Sequence, residues 1–119
     1  MAPHLQVWRW HVTMAGSILH RATGVGLYGG AIGLAIWLFA LAAGPDVFGI
    51  VHAALTSLPG ELLLYAFSVA IAYHFANGIR HLVWDSGRGY APSTADASGW
   101  MVIVFALVAP IGVWALARI

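Results

Sequence analysis

Two histidines, His74 and His81, share the stretch HFANGIRHLVWD (74–85) at the end of a long apolar run. Imidazole is the commonest metal ligand and is readily neutral near pH 7. His74 lies inside the run, behind LLLYAFSVAIAY, with no charge nearer than Arg80. At such depth in a bilayer a charged side chain costs roughly 2.5–3.5 kcal/mol on insertion scales, so a neutral, partnered His fits best. On a helix, His81 falls two turns on, ~10 Å along the same face. Asn77 and Gly78 come one turn after His74, and Gly78, lacking a side chain, leaves room for a flat ligand against the backbone. His74 alone reads equally well as a structural histidine bonded to a neighbouring helix. The second His, with a small residue between, tilts the reading toward a ligand.

Ser17-Ile-Leu-His20-Arg21 is a second constellation. In a helix, Ser17 is one turn from both His20 and Arg21. A hydroxyl and a guanidinium on one face can hold a carbonyl oxygen and stabilise negative charge growing on it. The plainer reading, a helix cap and an Arg snorkelling to the interface, is the stronger one from these residues alone. His4, His11 and His52 read as interfacial. Gly24-Val-Gly26-Leu-Tyr-Gly29 matches GxGxxG, but a dinucleotide site needs a preceding strand and a βαβ unit, and here the motif opens an uncharged helix. Gly26/Gly30 and Gly29/Gly33 are small-xxx-small pairs, which suit tight packing against another helix or a flat cofactor.

These residues need membrane helices to hold them. The 119-residue chain is 61% hydrophobic and 8% charged, against roughly 25% charged in soluble domains, and its mean hydropathy is +0.86. It reads as an all-α membrane protein, a single anchor domain over 1–119. Three spans are expected, at about 22–43, 61–84 and 99–117, each long enough to cross ~30 Å of hydrocarbon. Residues 1–21 are expected to lie along the interface, with Trp8 and Trp10 as anchors. They have neither a secretory signal nor the Arg- and Ser-rich character of a transit peptide. A short interfacial helix is expected around Phe48–Leu58, a polar turn at 86–98, and a kink at Pro110, which membrane helices tolerate. With no Cys, disulfides and thiolate metal sites are excluded.

Arg9, Arg21, Arg80 and Arg88 flank one membrane face, and only Arg118 lies at the other. The positive-inside rule therefore puts the N-terminus in the cytoplasm, or on the matrix side, and the C-terminus outside. The start of span one and the end of span two then share a face, where Ser17, His20, Arg21, His81 and Asp85 can converge.

PHLQVWRW (3–10), SILHRATG (17–24) and HFANGIRHLVWD (74–85), in that order, resemble the cytochrome b subunit of succinate dehydrogenase, one of the two membrane-anchor chains of respiratory complex II. The resemblance covers the N-terminal segment and the first two spans; span three carries no such motif. Trp8 stands where Tyr is common, and the chain starts close to PHLQ; neither departure touches the site residues. The resemblance implies that His74 is an axial ligand of haem b, the other axial His coming from a second small anchor subunit. It implies that Ser17 and Arg21 bind ubiquinone. His20, Arg21 and His81 would lie near the haem propionates, and His81 and Asp85 are candidates for a proton relay. The implied partners are that anchor subunit, an iron–sulfur subunit, a flavoprotein and membrane lipid, with no nucleic acid. The implied location is a bacterial inner membrane, ahead of the mitochondrial one. Two alternatives share these residues: an anchor of a quinol:fumarate reductase, and a purely structural anchor without haem. A single-chain anchor with two haems does not fit, because only one His lies deep in a span.

Overall fold

In the computed structural model of the chain, residues 12–119 are described. They form four helices: α1 (Val12–Ala43), α2 (Pro45–Thr56), α3 (Leu58–Asp85) and α4 (Pro92–Ala117). Three of them, α1, α3 and α4, are long and apolar enough to cross a membrane, in agreement with the sequence reading. The expectations at His4, Trp8, Arg9, Trp10 and His11 lie outside the described residues.

The helix boundaries follow local chemistry. Gly44, at φ 115°, takes a backbone conformation that L side chains rarely adopt, and it separates α1 from α2. Proline at the first turns of α2, α3 and α4 suits positions where no backbone N–H is needed. The Ser57 hydroxyl accepts the Gly60 N–H at 3.3 Å and caps α3. Several boundaries differ from expectation. Residues 12–21 continue α1 instead of lying apart from it, because no proline interrupts them. The second half of the 86–98 turn joins α4, which starts at Pro92 and continues through Pro110. The short helix expected near Phe48–Leu58 is α2, shifted to Pro45–Thr56. At ~18 Å, α2 is too short to span. Phe48 holds it against α1, its ring 6.0 Å from that of Trp37, and His52 stacks on Phe48 at 5.7 Å.

A small core lies between α3 and α4, formed by Tyr73, Val102 and Ala106 with Val69, Ala72, Ala76 and Ile103 around them. Hydrogen bonds tie the helices laterally. The Tyr65 hydroxyl donates to the Leu107 carbonyl at 2.9 Å, and the Tyr73 hydroxyl to the Gly16 carbonyl at 2.7 Å. At the opposite end of the bundle from Gly16, Arg118 lies 3.9 Å from Glu61. These contacts set the start of α1 beside the end of α3. Large apolar side chains elsewhere face outward, Tyr28 and Phe39 being about three-quarters exposed, as a surface meant for lipid or partner helices requires.

The glycine pairs of α1 are only partly used within the chain. A Cβ on Gly30 would overlap the Phe67 ring, so α1 and α3 touch closely there. Gly26, Gly29 and Gly33 meet nothing within 4 Å and line an apolar groove of about 620 Å³ with Leu34, Trp37 and Phe67.

Candidate functional site

The antiparallel pairing of α1 and α3 brings three histidine rings together. His20 of α1 stacks on His74 with centroids 4.0 Å apart and planes 9° from parallel. His81 lies on its other side, 5.2 Å from His20. His74 and His81 are seven residues apart on one stripe of α3, and α1 inserts His20 between them.

Each ring has a defined polar contact or a defined lack of one. Thr23 Oγ1 is 3.2 Å from His74 Nδ1 and also donates to the His20 carbonyl at 3.0 Å. His81 Nδ1 lies 2.8 Å from the Asn77 carbonyl. A carbonyl can only accept, so this nitrogen carries a proton and the lone pair of neutral His81 is on Nε2. His20 Nδ1 is buried without a hydrogen-bond partner among the described residues, a state costing about 1–3 kcal/mol unless a partner arrives. Gly24 borders the cluster, and a Cβ there would sit 3.3 Å from His74 Cε1. Gly78 meets nothing within 4 Å, so the backbone beside the histidine stripe is open.

Next to this cluster lies a second polar group that the sequence reading missed. Arg80 is 5% exposed and Asn77 is fully buried. The guanidinium donates from Nε to Ser98 Oγ at 2.8 Å, from Nη1 to Asn77 Oδ1 at 3.1 Å, and from Nη2 to the Ala95 carbonyl at 3.0 Å. It also lies 4.0 Å over the Trp84 ring, a cation–π arrangement. The sequence places Arg80 among the charges flanking one membrane face, whereas in the structure it is a buried clamp between α3 and the start of α4. The available signal was helical spacing: Tyr73, Asn77, Arg80 and Trp84 recur at i, i+4, i+7 and i+11 on one stripe.

The family model described as "Succinate dehydrogenase/Fumarate reductase transmembrane subunit" matches residues 1–113. The chain belongs to that family. Among its relatives, the succinate dehydrogenase cytochrome b556 subunit of Rickettsia felis is 33% identical over 113 residues, covering 95% of this chain and 88% of the relative. The mitochondrial cytochrome b560 subunit of Mus musculus is 37% identical over 123 aligned residues, 98% of this chain and 70% of the relative.

In this transmembrane subunit of the succinate dehydrogenase family, the candidate residues fall into two groups. His20, His74 and His81 share one cluster. Ser17 and Arg21 are exposed on the first turns of α1, one turn apart, and Asp85 is exposed at the last residue of α3. These three lie at the same end of the bundle as the histidines without joining their contacts.

Proposed function

We propose that this subunit holds a haem b at His74, with the second axial His supplied by a second small anchor subunit, and that Ser17 and Arg21 form part of a ubiquinone site. The complex would be a succinate:quinone oxidoreductase, completed by an iron–sulfur subunit and a flavoprotein docked where α1 begins. That end would face the cytoplasm of a bacterial inner membrane. Arg21 and Arg88 lie there, against Arg118 at the other end, which favours this orientation. The names of the relatives, succinate dehydrogenase subunits in both cases, favour succinate oxidation over fumarate reduction.

The observation that carries the haem reading is the setting of His74. Its Nδ1 is beside Thr23 and one ring face is covered by His20. Imidazole binds iron through an in-plane lone pair, so a stacked neighbour does not block Nε2. The unpartnered Nδ1 of His20 suits a carboxylate acceptor such as a haem propionate. Arg21 would add a fixed positive charge nearby. His81 would donate there only when doubly protonated, because Asn77 already takes its Nδ1 proton. A haem held at His74 would supply one-electron redox chemistry, tuned by its ligands and their hydrogen bonds.

Quinone reduction puts negative charge on a carbonyl oxygen before protons arrive. The Ser17 hydroxyl would donate a hydrogen bond to that oxygen, and Arg21, permanently charged, would stabilise it. His81 and Asp85, one turn apart on α3, would pass protons. Losing one such donor typically costs ~10²–10³ in rate. The test is to assay Ser17→Ala and Arg21→Leu complexes with ubiquinone and with a soluble dye that takes electrons upstream. Quinone reduction should fall ~10²–10³-fold while dye reduction persists. Equal loss of both, or unchanged quinone reduction, removes these residues from the quinone site.

A further inference from the structure

Thr23 lies within SILHRATG but has no role assigned above, yet it is the one side chain that hydrogen-bonds His74 among the described residues. Its hydroxyl has a single proton, and the His20 carbonyl, 3.0 Å away and three residues back on α1, takes it. The oxygen's remaining lone pairs can then only accept, and His74 Nδ1 is 3.2 Å away. We infer that Thr23 is a positioning residue for the iron ligand: it accepts the Nδ1 proton of His74 and fixes the tautomer whose Nε2 lone pair is free to bind iron. The inference rests on the haem reading above and adds a residue to it. The group orienting a ligating imidazole is usually a carboxylate, backbone carbonyl or water. Here, inside a membrane helix, a hydroxyl polarised by a backbone carbonyl serves, at no cost in buried charge. Gly24 completes the arrangement by leaving the His74 ring room to turn toward Thr23.

An acceptor on Nδ1–H makes the imidazole a stronger electron donor and favours ferric iron. Removing it should raise the midpoint potential of the haem and weaken haem binding about 10–100-fold. The experiment compares Thr23→Val, Thr23→Ala and Thr23→Ser in the purified complex by redox titration, low-spin electron paramagnetic resonance and haem transfer to an apoprotein acceptor. Val and Ala should raise the potential, shift the resonance and release haem faster, whereas Ser should match the unaltered protein. If Val blocks assembly, the comparison of Ala with Ser carries the same test. Ala matching Ser in potential and resonance would overturn the role of Thr23. His74→Leu run alongside separates the two claims: an unchanged haem spectrum there sinks the ligand assignment itself.

Discussion

Two stripes of α3, one residue apart, have opposite characters. Tyr73, Asn77, Arg80 and Trp84 face the start of α4 and the backbone of α1, and the charge of Arg80 is met on every side by Ser98, Asn77, Ala95 and the Trp84 ring. His74, Gly78, His81 and Asp85 form the neighbouring stripe. There the rings are stacked and partly fixed, but among the described residues His20 Nδ1 has no partner, Gly78 opens onto nothing, and Asp85 is exposed. A closed polar network rigidifies a bundle, whereas polar groups held in place and left incomplete mark where something else binds. The contrast has one blemish, because Asn77 Nδ2 also lacks a partner among the described residues; its Oδ1 is committed to Arg80.

The largest effect expected from breaking this contrast is on the closed side. Arg80→Ala removes three hydrogen bonds from a buried guanidinium, each worth ~1.5–3 kcal/mol. It should destabilise the complex by at least about 3 kcal/mol, read as lost assembly or a lowered Tm. Arg80→Lys should recover only part of this, since an ammonium cannot reproduce the fork. Wild-type yield and Tm in the Ala variant would show that the clamp is not structural.

A smaller effect is expected on the open stripe. His81→Leu loses the bond to the Asn77 carbonyl and the contacts with His20 and Trp84, but no proposed iron bond. Haem should remain, with affinity lowered at most about tenfold and the potential shifted. Complete loss of haem would mean that His81, not His74, is the ligand.

The difference between the stripes also explains what the sequence made legible. Three apolar runs and the break at Gly44–Pro45 are local properties, and both appear in the structure. The role of Arg80 was not local. A charge five residues from the end of a membrane helix ordinarily snorkels to the interface, and only the approach of α4 gives this one Ser98 and Ala95. His20 had the same difficulty, because which face of α1 meets α3 depends on tertiary packing, with Gly30 against Phe67 as one fixed point. Thr23 stands inside SILHRATG with no signal of its own role, since a hydroxyl on a helix usually bonds its own backbone. The GxGxxG stretch lies within helix α1, and among the described residues its neighbouring small-residue pairs pack within the chain through Gly30 alone.

The central claim is that the open stripe is a haem site centred on His74. It is tested most directly by the reduced-minus-oxidised spectrum of the purified complex, unaltered and with His74→Leu, each normalised to flavin content. The account predicts a b-type band in the unaltered complex that is lost or strongly diminished in the variant, with flavin and dye-linked succinate oxidation retained. A full, unshifted band in the variant, or no b-type band in the unaltered complex, would contradict it.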